Sequence, residues 1–210
     1  MTGCAQNLNL NLAAQGVSVI DVNGKEGIFL CHAILTALGV PCHVVFDGDN
    51  GVAERKLASI QGKVGDERAR AEKKIREAAD KSARLNGQLL NYLDATTKVP
   101  WPASVSQLAY TVFEDNLEEY LKGAWPTWTA RLQELIATGD GFPGKNAATY
   151  REAARSTEGN PPALLIALLA NVQELLRNSQ PAVQYFLPLQ PGPEQAAVAE
   201  GPLLSQVGGA

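Results

Sequence analysis

Residues 1–15 of this 210-residue chain hold no acidic residue, the whole chain has only three cysteines, and positive charge is not in excess. Each shortage excludes something. An odd number of cysteines without framework spacing argues against a disulfide scaffold and for a reduced, cytoplasmic chain. With 18 Lys and Arg against 22 Asp and Glu, the net charge of -4 supplies no global basic field. Any nucleic-acid contact must then come from a local patch, a metal or a partner. The N-terminus lacks a basic segment followed by an apolar core, so no signal peptide is read there. The longest apolar run, Ala163 to Ala170, is too short to span a bilayer, and no membrane partner is expected. Glu26 follows Gly24-Lys25, and no glycine stands where a phosphate-binding P-loop needs one. No internal repeat is present. The apolar fraction of 45% is ordinary for a domain with a real core.

What is present begins with two β-branched runs. Val17-Ser-Val-Ile-Asp-Val22 reads as a strand, and Asn23, three positions before Glu26, has the form of a helix start. Ile28, Leu30, Cys31, Ile34, Leu35 and Leu38 recur at helical spacing, and Gly39 stands where a helix C-terminus wants glycine. Cys42 to Phe46 then reads as a buried strand of a parallel sheet. Strand, helix and strand make a right-handed βαβ unit with both strand ends on one edge. From about Val52 to Leu93 an apolar helical stripe runs among many charges, with a break into two helices expected around Gly65 to Ala71. The bases Arg68, Arg70, Lys73, Lys74, Arg76, Lys81 and Arg84 alternate with acids, the pattern of a solvated helix face. Leu108 to Phe113 reads as a third strand. Helices are expected from Asp115 through Leu121, from Trp125 to Ile136, over 146–155 and over 161–176. Leu8, Leu10 and Leu12 alternate with asparagines in the manner of a short strand.

The chemistry gathers at the strand ends. Asp47 and Asp49 stand one residue apart where an apolar strand stops at Gly48 and Asn50-Gly51. Ligands of open α/β sheets sit beyond the carboxyl ends of the strands. Two carboxylates released there repel each other unless a cation lies between them, and oxygen-rich sites of this kind suit Mg²⁺ or Mn²⁺. Asp, Gly and Asn are equally ordinary turn residues. Glu118 follows the third strand. As the third residue of a helix begun at Asp115 it would also serve to bond back to the Asp115 N–H.

The order Gly16-Val-Ser-Val-Ile-Asp-Val-Asn-Gly-Lys25, helix, Leu38-Gly-Val-Pro-Cys-His-Val-Val-Phe-Asp-Gly-Asp49, and later Val112-Phe-Glu-Asp-Asn-Leu-Glu118, resembles the Toprim (topoisomerase-primase) domain. More closely, it resembles the nuclease half of the OLD (overcoming lysogenization defect) family, whose members join an ABC-type ATPase to a C-terminal Toprim nuclease. The resemblance implies an α/β fold, a Toprim-like parallel sheet flanked by helices, with a helical insertion and a helical C-terminal part. It divides the chain into a partial core over 14–122 (insertion about 52–98), a helical part over 123–187, and a tail over 188–210 expected to be disordered. It implies a DNA endonuclease using one or two Mg²⁺ or Mn²⁺ ions, with Asp47, Asp49 and Glu118 as metal ligands. It makes Lys145, in Gly144-Lys145-Asn146, the candidate catalytic lysine near the scissile phosphate. Partners would be DNA and an ABC-type ATPase domain or chain, with homo-oligomerisation left open.

A Toprim domain of this kind begins with a strand ending in Glu-Gly, and residues 1–15 offer no such carboxylate. The chain therefore reads as a C-terminal or split piece of a larger nuclease. A scaffold that binds DNA or a partner without cutting is the alternative. A phosphatase of haloacid-dehalogenase type, using Asp47 as nucleophile, is less well matched because Asn50-Gly51 follows the motif. Cys42 and His43, neighbours on a strand, point to opposite faces and do not share a zinc ion. A calcium loop begun at Asp47 would need Glu where Ala58 stands.

Overall fold

The computed structural model describes residues 1–179; the 188–210 tail and the last eight residues of the 123–187 part lie outside them. Among the described residues, eight helices surround three short strands. In chain order these are α1 (Thr2–Asn7), α2 (Lys25–Ala37), β1 (Val44–Asp47), α3 (Val52–Ser59) and α4 (Gly65–Tyr92). Then follow β2 (Val105–Ser106), β3 (Tyr110–Phe113), α5 (Leu117–Ala124), α6 (Pro126–Thr138), α7 (Ala147–Ser156) and α8 (Ala163–Ser179). None of the helices is long and apolar enough to cross a membrane.

The α/β class holds, with a smaller and more mixed sheet than the sequence pattern suggests. Strand order is β1-β3-β2; β1 runs parallel to β3, and the two-residue β2 runs antiparallel to it. Val17–Val22 forms no strand, and Val19 and Ile20 stand 62% and 57% exposed. A β-branched run becomes a strand only beside a ladder that takes up its backbone groups, and no described strand lies against this one. The βαβ unit is therefore only its αβ half. The leucine–asparagine alternation near the N-terminus likewise forms turns after α1; Cys4, Ala5 and Leu12 are buried against the later helices.

Local signals decide the boundaries. Gly39, at φ 74°, closes α2 in the left-handed conformation, and Val40 N–H reaches back to the Leu35 carbonyl at 2.9 Å. At the start of α2 the cap is Gly24, one residue later than the pattern suggests, and Asn23 takes a positive φ instead. The charged helices part at 60–64, before the thin stretch of the stripe, and α4 runs unbroken for 28 residues. Intrahelical pairs such as Arg68–Glu72 at 2.7 Å support it, as expected of a solvated face.

β3 is buried along its whole length and carries the core on both faces. Tyr110 and Val112 join Ile28, Val44, Phe46, Leu89 and Leu90. Phe113 belongs to a second cluster with Leu121, Trp125, Trp128, Leu135 and Leu168. The alternation of a strand thus welds a sheet layer to a helical layer. Beneath the sheet, both ring nitrogens of His43 are engaged, with the Leu108 carbonyl (2.9 Å) and the Thr111 hydroxyl (2.8 Å). Thr111 meets Ser106 at 2.7 Å, and Asn171 of α8 donates to Ser106 at 2.9 Å. His43 is a satisfied structural histidine, and burial lowers its pKa.

Leu89, with no exposed surface, sits at the centre of the sheet-side cluster. Leu89→Ala is expected to cost about 2–5 kcal/mol in urea unfolding. Leu38→Ala, at a position 72% exposed, should change stability by less than about 0.5 kcal/mol.

Candidate functional site

The parallel register sets Asp47 opposite Phe113, so the end of β1 meets the chain as it leaves β3 for α5. Asp47 lies on the same side of the strand as Val45, away from the buried Val44 and Phe46, and its carboxylate emerges toward α5. Its Oδ1 accepts the N–H of Leu117, the first residue of that helix, at 3.1 Å. Gly48 is required by proximity: a Cβ there would run into the carbonyls of Phe113 and Glu114. The next residue, Asp49, takes φ 63°, which aspartate tolerates better than most. Backbone bonds from Asp49 to the Asp115 carbonyl (2.7 Å) and from Asn50 to that of Glu114 (3.2 Å) fasten this turn.

The two aspartates have different surroundings. Asp49 Oδ2 accepts from Lys25 Nζ at 2.7 Å and from the Ser82 hydroxyl at 2.6 Å. The same ammonium also donates to Ser82 Oγ and Asn86 Oδ1, each at 2.7 Å. Asn86 is fully buried, and its amide donates to the carbonyls of Gly48 (2.7 Å) and Pro100 (2.9 Å). A polar knot of four side chains therefore joins the start of α2, the middle of α4 and the β1–α3 turn.

Asp47 has no ammonium bonded to it. Burial pushes its carboxyl up to about 6 from 3.8, opposed by the Leu117 N–H and Lys145 and reinforced by the charges of Asp49 and Glu118. Glu118 reaches the neighbourhood from the first turn of α5, where its Oε1 meets Lys145 Nζ at 2.8 Å. That hydrogen bond raises the pKa of Lys145, and Asp47 adds to the effect. Glu118 makes no capping bond to Asp115. The helix starts one residue later than expected, with Asn116 as its cap accepting from Glu119 N at 2.9 Å. Asp115 is claimed by Arg55, whose guanidinium bonds both carboxylate oxygens and holds its pKa low.

All four residues singled out from the sequence thus meet at one edge: Asp47, Glu118 and Lys145 as one group, with Asp49 beside them in the knot. Lys25, Ser82 and Asn86 were not anticipated as site residues. A signal for Lys25 existed, because a lysine in the first turn of a helix opposes the helix dipole. Ser82 and Asn86 gave none, since distance along the chain hides their closeness to Asp49.

Among the described residues, no three His, Cys, Asp or Glu side chains gather into a ready-made metal cage. Asp47 and Glu118 are the carboxylates here that could hold a hard divalent ion. Mg²⁺ is commonly held by one or two carboxylates, with water and phosphate oxygens completing the shell, and a half-buried carboxylate beside two like charges is favoured by a cation.

Residues 1–49 match the family model described as "Overcoming lysogenization defect protein-like, TOPRIM domain", consistent with a Toprim domain of the OLD family. The matched span includes α1, α2 and β1 and ends on Asp49; Glu118 and Lys145 lie beyond it. Such a domain suggests a nuclease-type Toprim function, and Toprim domains generally bind divalent metals. No curated protein and no solved structure matches the chain.

The raised pKa of Asp47 has a direct consequence for stability. Below pH 3.8 the carboxyl is neutral whether the chain is folded or not. As pH rises toward 6 the unfolded chain ionises freely while the folded one resists, so stability is lost across that window. Asp47→Asn keeps an acceptor for Leu117 and removes the charge. In EDTA it should raise the melting temperature by about 2–4 °C per kcal/mol regained. The gain should be full at pH 7.5 and absent at pH 3.5; an equal gain at both values would show that burial of charge is not its source.

Proposed function

We propose that this chain is the Toprim part of a divalent-metal-dependent nuclease acting on the phosphodiester backbone of DNA. The carrying observation is the convergence of Asp47, Glu118 and Lys145 at the carboxyl end of β1, where Asp47 accepts a helix N–H and no side-chain cation is bonded to it. Asp47 and Glu118 would hold Mg²⁺ or Mn²⁺, with Asp49 supplying further negative charge. Such an ion polarises a phosphoryl oxygen and lowers the pKa of water. Lys145, 77% exposed on the turn before α7, would meet a phosphate oxygen once Glu118 engages the ion. On the other side of the β1–α3 turn, a hollow of about 430 Å³ is lined by Glu54, Glu114, Asp115 and Glu119. Lys145 is the exposed cation beside the Asp47–Glu118 pair, so the DNA backbone would approach from its side.

Of the neighbouring acids, Asp115 is tied to Arg55 and Asp49 to Lys25, so neither is free to orient or deprotonate the attacking water. General-base help is worth about 10²–10⁴-fold, so cleavage by this chain alone should be slow. Supercoiled plasmid with Mn²⁺ should be nicked slowly, and Asp47→Asn or Glu118→Gln should abolish the nicking. Vigorous cleavage that survives both substitutions would place the chemistry elsewhere. The second reading is a DNA- or partner-binding scaffold without cleavage, favoured by the lysines already paired with Asp49 and Glu118. It predicts Lys145-dependent retention of DNA with no nicking under any divalent ion. An ATPase partner belongs to the family resemblance, and co-purification with an ABC-type ATPase chain would test it.

A further inference from the structure

The two lysines at this edge hold their carboxylates in different ways. Lys145 touches one partner, Glu118, and its side chain is 77% exposed. It follows Gly144, which has φ 78° and open space around it. Lys25 has three partners at 2.7 Å, one of them the fully buried Asn86, and its side chain is only 12% exposed. Moving the Lys145 ammonium breaks one exposed ion pair, of a kind worth little in water. Moving that of Lys25 strands the Asn86 carbonyl in the interior and breaks a four-membered network. A divalent ion can therefore displace Lys145 from Glu118 far more easily than it can displace Lys25 from Asp49.

We infer that Lys25 is a positioning residue: a resident cation that locks Asp49 and limits this edge to one divalent ion, bound on the Asp47–Glu118 side where Lys145 gives way. The inference rests on the metal-site reading above and adds a stoichiometry to it. Asp49, Oδ2 of which already carries two donors, acts through its charge and through the turn it anchors. Lys25 stands where a second cation would otherwise be drawn. The misplacement of a lysine in the first turn of α2 then has a reason, because the dipole penalty is offset by three directed hydrogen bonds.

Counting bound Mn²⁺ by electron paramagnetic resonance on the full chain tests this. The unaltered chain should bind one ion. Asp49→Asn should keep it within about threefold in affinity, whereas Asp47→Asn should weaken it by about tenfold or more. Lys25→Met, checked for folding by circular dichroism, should admit a second ion, while Lys145→Met should tighten the first without adding another. The Asp49→Asn arm stands independently if Lys25→Met does not fold. Two ions on the unaltered chain, or a loss in Asp49→Asn equal to that in Asp47→Asn, would overturn the role of Lys25 and leave the metal site standing. No Mn²⁺ on either the unaltered chain or Lys25→Met would overturn both.

Discussion

Parallel pairing of Val44–Asp47 with Tyr110–Phe113 is the constraint on which the rest of this structure depends. Four residues on each side join segments more than sixty positions apart, and the register leaves Asp47 level with the exit toward α5. Because β3 is buried on both faces, its pairing also joins the sheet-side and helical clusters. A shift of one residue would turn Val44 and Phe46 outward and send the Asp47 carboxylate into the core. Position of the acids and integrity of the core are therefore one requirement.

Charge at this edge is balanced unevenly, and the imbalance carries the chemistry. Three carboxylates face two ammonium groups. Asp49 is paired with a buried, triply bonded lysine and Glu118 with an exposed one. Asp47 is left with only a helix N–H. A carboxylate at a helix N-terminus is ordinarily favoured by the dipole, yet burial and like charge outweigh that help here. Asp47 thus both accepts the first N–H of α5 and is the least satisfied acid of the cluster, which ties the structural and chemical roles to a single oxygen pair.

Much of this was legible in the chain itself. The apolar run ending at Asp47, the helical spacing from Ile28 to Leu35, the glycine at 39 and the later helices appear within a few residues of where periodicity places them, because these depend on neighbours along the chain. Residues 16–50 carried the resemblance, and the match over residues 1–49 agrees. Strand pairing depends on a partner, so Val17–Val22, with every local mark of a strand, stays unpaired. The leucines near the N-terminus, with the marks of another, cover the helical core.

Residue type and spacing alone determined which groups at the end of β1 could do chemistry: two aspartates around a glycine, with an acid and a lysine further on. Only the tertiary structure decided how each is used. Lys25 lies 24 residues from Asp49 and Asn86 lies 38 from Gly48, so no local pattern announces the knot they form. Folding α4 back over the turn brings these groups together in a place sheltered from water. There an ammonium is fixed by directed hydrogen bonds, whereas Lys145, left in solvent, is held by little more than one ion pair.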